Sequence, residues 1–149
     1  MPRVSRRRTI AAPRGEVWAL VSDPYSLPRW WPRTQRVESV EGEGADAQWT
    51  SVLGTAEGRG VRADFRCRES LENERTAWEQ LLAGSPFERH LRRYEIAIEL
   101  GDEGDEATAV RLEATQALRG LSRLGSPMMR GGQGKMLEEA LDGLERALT

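Results

Sequence analysis

The chain carries one histidine, His90, and one cysteine, Cys67, so several catalytic chemistries lack their parts. A single cysteine forms no disulfide within the chain. One histidine with one cysteine falls short of the three or four ligands that protein zinc sites use. A Ser-His-Asp triad would have to use His90, yet no serine sits in a G-x-S-x-G setting. Arg130-Gly131-Gly132-Gln133-Gly134-Lys135 has the outline of a phosphate loop, but Met129 stands where the motif needs its first glycine and Met136 where it needs Ser or Thr. No metal and no cofactor are therefore expected. What remains is shape, apolar contact and hydrogen bonding. Residues 26–34 read SLPRWWPRT, placing Trp30 and Trp31 side by side between Pro28 and Pro32 in a chain whose aromatic content is only 6%. The prolines keep this segment out of any long helix or strand.

The chain's 149 residues suit one domain, and a domain of that size buries roughly 70% of the surface its unfolded chain exposes. Apolar residues at 38% and charged ones at 31% describe an ordinary globular chain. Net charge is -2, and Lys135 is the sole lysine among 22 basic residues. Acidic residues are interspersed almost everywhere, which argues against a nucleic-acid partner, and Arg6-Arg7-Arg8 reads as a solvated strand edge. No run approaches 18 apolar residues, so no stable membrane insertion is expected. The basic start leads into Ile10-Ala11-Ala12-Pro13 without a secretory apolar region, so a cytoplasmic location is expected.

Periodicity then supplies the elements. Val4 to Ile10 reads as a first strand. Pro13 suits the first turn of a helix running to Ser22, with Val17, Leu20 and Val21 on one face, and Asp23-Pro24 stops it. A second short helical turn, about Asp23 to Arg29, leads to the tryptophan pair. Six strands follow: Val37 to Val40, Gln48 to Leu53, Val61 to Glu69, Thr76 to Leu82, Leu91 to Leu100 and Ala107 to Leu118. Their connections are too short for parallel crossovers, so they form an antiparallel meander. From Ser126 a helix of about 22 residues returns, with Leu137, Leu141, Leu144 and Leu148 as its apolar stripe. Gly131, Gly132 and Gly134 make its first half the looser one.

This order closely resembles the START-like, or Bet v 1-like (SRPBCC), helix-grip superfamily, and most of all its polyketide cyclase/dehydrase branch. The resemblance is carried by APRGEVWALVSDPYSLPRWWP at residues 12–32, by Arg75-Thr-Ala-Trp78, by the Ser85-Pro-Phe87 turn and by the terminal helix. It implies an α+β helix-grip fold over residues 1–149 as a single domain. Two short helices would follow strand 1, and a curved seven-stranded antiparallel sheet would wrap a long C-terminal helix, with a cavity between them. Composition agrees: two phenylalanines and two tyrosines are little filler for such a sheet, and many inward positions carry Ala, Ser, Thr or Gly.

Candidate wall residues follow from the alternation. Trp49, Ser51 and Leu53 share one strand face, and Thr76, Trp78, Gln80 and Leu82 another. On the longest strand His90, Arg92, Tyr94, Ile96, Ile98 and Leu100 point one way, the polar half toward the mouth. The expected ligand-binding residues are Trp30, Trp31, Trp49, Phe65, Trp78, Tyr94, Ile96, Met128 and Met129. Between Val61 and Arg68 two readings compete. Alternation turns Val61, Ala63, Phe65 and Cys67 inward, whereas resemblance to aromatase/cyclases of the tetracenomycin type implies that Arg68 reaches the pocket together with Trp31, His90 and Tyr94. Thr34 stands where those enzymes carry a tyrosine. Burying several unpaired guanidiniums is costly, which favours the apolar face, with a bulge as the one way to turn Arg68 inward. The leading function is binding of a hydrophobic or aromatic small molecule, such as a lipid or polyketide, by a monomer or homodimer. A polyketide aromatase/cyclase or dehydrase using Arg68, His90 and Tyr94, and a protein-interaction module of the same fold, are the alternatives.

Overall fold

A computed structural model describes residues 3–54, 58–120 and 126–149, the last segment with its side chains from Gly131 onward. Strand β1 (Arg3–Ile10) leads into helix α1 (Arg14–Val21), a 3-10 turn at Pro24–Ser26 and the single-turn helix α2 (Leu27–Trp30). Strands β2 (Thr34–Glu41), β3 (Gln48–Gly54), β4 (Gly60–Leu71), β5 (Arg75–Leu81), β6 (Leu91–Asp102) and β7 (Thr108–Leu118) follow, and helix α3 (Ser126–Leu148) ends the fold. The seven strands form one sheet in the order β1-β7-β6-β5-β4-β3-β2, antiparallel throughout. Only β1 is out of chain order. The chain passes over the sheet through α1 and α2 to begin the meander at the opposite edge.

Local chemistry sets the boundaries. Asp23 caps the 3-10 turn, its Oδ1 accepting from the Tyr25 amide at 3.0 Å and its Oδ2 from the Ser26 hydroxyl at 3.2 Å. Pro28 sits within the first turn of α2, where a missing N–H costs nothing. Trp31 has left the helix (φ -81, ψ 130) because Pro32 pushes the preceding residue into extended conformation. Register shifts between Thr34 and Arg36, Glu38 and Glu41, Cys67 and Glu69, and Leu91 and Arg93 mark irregular pairings that bend the sheet. Strand β2 begins at Thr34, earlier than its apolar pattern predicts, because the first of these irregularities interrupts the alternation that identifies a strand.

The two faces of the sheet divide cleanly. The convex face is a lattice of arginine–carboxylate pairs: Arg62 with Glu38, Arg66 with Glu79, Arg75 with Glu69 and Glu99, and Arg111 with Glu99 and Glu113. The concave face meets α3. At one end Ile10, Ile98, Leu112, Leu137, Leu141 and Leu144 are wholly buried against one another. Arg8, read from the sequence as a solvated edge residue, instead donates to Glu138, Asp142 and Glu145 of α3 at 2.7, 2.6 and 2.8 Å. Those hydrogen bonds, the one to Asp142 foremost, raise its already high pKa further. Among the described residues no helix is long and apolar enough to cross a membrane.

Candidate functional site

At the other end the sheet and α3 stand apart around a cavity of about 820 Å³, within the range of small-molecule sites. Its wall follows from strand pairing. Trp49 on β3 lies opposite Phe65 on β4, Phe65 opposite Gln80 on β5, and Tyr94 on β6 opposite Gln116 on β7. Gln80 and Tyr94 are one residue beyond the last β5–β6 pair, Glu79 with Glu95. The row Trp49–Phe65–Gln80–Tyr94–Gln116 therefore crosses five strands on one face, and every member lines the cavity. Trp78 lines it one step deeper, opposite Cys67 and Ile96. Ser51, Leu53 and Val61 continue the wall toward the opening, and Gln133 and Met136 supply the α3 side.

The adjacent tryptophans part company here. Trp31 lines the cavity, its ring perpendicular to that of Trp30 at 5.3 Å. Trp30 is only 3% exposed and does not line it. Both rings pack edge-on against Trp78, which also meets Trp49 at 6.0 Å, while Trp49 stacks on Phe65. Trp78 is thus the hub of a five-ring cluster, and such pairs contribute about 0.5–1.5 kcal/mol each beyond area burial. The backbone of Trp30 rests on α3 at Gly143, where a Cβ would come within 2.2 Å of the Trp30 carbonyl oxygen. Gly143 is what lets α2 sit low enough to bring Trp31 over the cavity.

The structure sets three of the candidate residues apart from the cavity wall. Trp30 is a packing residue between α2 and the core. Ile96 is fully buried beside Trp78 and is absent from the wall. Arg68 lies outside: an irregularity follows Cys67, yet it does not turn Arg68 inward, and the residue is half-exposed on the convex face, paired with Glu95 and Glu79. Val61, Ala63, Phe65 and Cys67 take the concave side, as alternation favours. A further irregularity between Leu91 and Arg93 breaks the alternation on β6, so Leu91 turns inward with Tyr94 while Arg92 is exposed. His90 follows the 3-10 turn Pro86–Arg89 and borders the opening with Phe87, a turn held by Ser85, whose Oγ accepts from the Phe87 amide at 3.2 Å. The side chains of Met128 and Met129 lie outside the described residues.

Polar groups on the wall are few. Thr34, Ser51, Gln80 and Gln116 are each buried. Tyr94 donates to Gln133 Oε1 at 3.4 Å and points at Met136 Sδ at 3.7 Å, both long for a phenol. Burial pushes its pKa above the ordinary value, so it is a neutral donor. The Gln80 Nε2 and Trp49 Nε1 groups are buried without a hydrogen-bond partner among the described residues, a state costing about 1–3 kcal/mol each. Of the three glutamines only Gln80 stands out in sequence, as one inward position of an alternating strand. Gln116 and Gln133 belong to segments read as core strand and helix. This arrangement can enclose an apolar body and offer it hydrogen bonds from one band of the wall.

Comparison with known proteins agrees with this geometry. The model of the family described as "Polyketide cyclase / dehydrase and lipid transport" matches residues 1–149. No curated protein matches the chain. A START superfamily protein from Mycobacterium smegmatis is similar in structure (TM-score 0.79, 18% identity, 98% of this chain and 96% of that one). So is the protein TTHA0849 from Thermus thermophilus (TM-score 0.77, 26% identity, 99% and 97%). The ZhuI aromatase/cyclase from Streptomyces sp. R1128 shares the fold (TM-score 0.72, 18% identity, 99% and 90%).

Proposed function

The chain belongs to the polyketide cyclase/dehydrase and lipid-transport family, and from that membership we propose that it binds a hydrophobic or aromatic small molecule between the sheet and α3. The observation that carries this reading is the cavity itself, about 820 Å³ walled by Trp31, Trp49, Phe65, Trp78 and Tyr94. Unlike the opposite end of the same interior, this space is left unfilled. Apolar wall of this kind contributes about 25 cal/mol for each Å² of ligand surface taken from water.

The aromatase/cyclase alternative needs a polar group at the reacting carbonyl. With Arg68 on the convex face, that role falls to Tyr94 on the wall and His90 at the opening. Product regiochemistry from a poly-β-ketone, compared between wild type and Tyr94→Phe, tests it. Binding is tested first. Native mass spectrometry of the purified protein before and after solvent extraction should reveal a bound small molecule. Aromatic probes should also quench the fluorescence of Trp31, Trp49 and Trp78. Absence of any co-purifying molecule, together with no quenching across a panel of ring-bearing compounds, would overturn the reading. Retention of a protein partner in place of a small molecule would favour the interaction-module alternative.

A further inference from the structure

Apart from Thr34, Ser51 and, at the opening, Arg33 and His90, the polar side chains on the described wall of the cavity form one band. Gln80 on β5, Tyr94 on β6 and Gln116 on β7 occupy neighbouring positions on three adjacent strands, and Gln133 reaches the same level from α3. These residues are poorly used by the protein itself. Among the described residues the Gln80 Nε2 donor has no partner, and the Tyr94 hydroxyl holds a 3.4 Å bond to Gln133 and a 3.7 Å contact to Met136 and no other. Ordinary O–H···O bonds are about 2.5–3.0 Å, so both donors are available to a better acceptor. A half-turn about the last side-chain bond of Gln80 exchanges the two ends of its carboxamide, which lets the N–H₂ group face the cavity without backbone movement.

What is missing is therefore an acceptor. A carbonyl oxygen has two lone pairs and can accept from both donors at once. It need carry no charge: Tyr94 is held neutral by burial, and the basic side chains on the described wall, Arg33 and His90, are both exposed. We propose that Gln80 and Tyr94, flanked by Gln116 and Gln133, form a subsite for the neutral carbonyl of a flat, ring-bearing ligand whose remaining surface is apolar. This rests on the reading of the cavity as a small-molecule site and narrows its ligand class.

A pair of probes of nearly equal shape separates the two statements. Fluorenone and fluorene differ by a carbonyl in place of a methylene, and each can be titrated against a cavity-bound fluorescent dye, 1-anilinonaphthalene-8-sulfonate. The expected result is that fluorenone displaces the dye about tenfold better than fluorene, the scale of one net hydrogen bond. In the double variant Gln80→Leu, Tyr94→Phe that ratio should fall to near one, as fluorenone weakens and fluorene tightens against a more apolar wall. A second measurement needs no variant: the infrared C=O stretch of fluorenone bound to the wild-type protein should lie below its value in hexane. Equal displacement by both probes, a ratio that survives the double substitution, or an unshifted stretch would overturn the carbonyl subsite while leaving the cavity reading intact. Displacement by neither probe would overturn both.

Discussion

The two ends of the interior are built from the same strands and the same helix, yet they solve opposite problems. Around Leu137, Ala140, Leu141 and Leu144 the sheet and α3 interlock with no exposed surface. Earlier along the same helix, around Gln133 and Met136, it faces about 820 Å³ of space. The difference is one of side-chain supply. The packed end has branched aliphatic residues on every neighbouring element. The hollow end has rings held against the sheet by one another, and sheet meets helix there through the long Tyr94 contacts to Gln133 and Met136. Full burial is concentrated at the end without the cavity, which lets the other end stay unfilled.

The sharpest test of that division is Leu141→Ala, which should lower unfolding free energy by about 2–5 kcal/mol in a urea titration. Gln116→Leu at the hollow end should stay within about 1 kcal/mol of wild type, since it removes no cavity-filling group. Equal losses at the two sites would erase the distinction. Gly143→Ala comes next, at about 1–3 kcal/mol destabilising, even though alanine is the better helix former. The added methyl would meet the Trp30 backbone, so α2 and the Trp31 ring should move. Weaker dye binding in this variant would show the packed end positioning the roof of the hollow one.

Alkaline pH probes the wall from another side. Burial raises the Tyr94 phenol above its ordinary 10.0, the value it regains when the chain unfolds. Its contribution is full below pH 10.0 and falls as pH rises through and beyond that value, by up to about 1.4 kcal/mol per unit. Urea midpoints measured from pH 8 to 11 should fall more steeply in wild type than in Tyr94→Phe once pH passes 10.0. The smallest effect is expected on the convex face. Arg68→Ala should cost less than about 1 kcal/mol and leave dye affinity unchanged, because its guanidinium never meets the cavity.

Element order and strand faces were legible in the sequence because alternation is a direct reading of which side meets water. Val61, Ala63, Phe65 and Cys67 are inward for that reason. The same rule failed on β6, where an extra residue near Arg92 reverses the sides of Leu91 and Arg92. Such irregularities leave no mark in hydropathy. Trp30 and Trp31 were equally opaque: neighbours in sequence separate onto different surfaces only once Pro32 has ended α2 and Gly143 has admitted it. Gly143 carries its meaning in a partner more than a hundred residues away, and the glutamine band exists only across strands.

Strand β1 leaves the ribosome well before β7, the strand it pairs with residue by residue from Arg3 to Ile10. During synthesis β1 must wait while the meander assembles, an unpartnered segment of the kind prone to aggregation. Three consecutive arginines give that segment like charges that would repel a second copy. The same positions later close the structure when Arg8 finds its three carboxylates on α3. One short stretch thus carries both a charge that would repel a second copy at the sheet edge and the latch that ties β1 to α3.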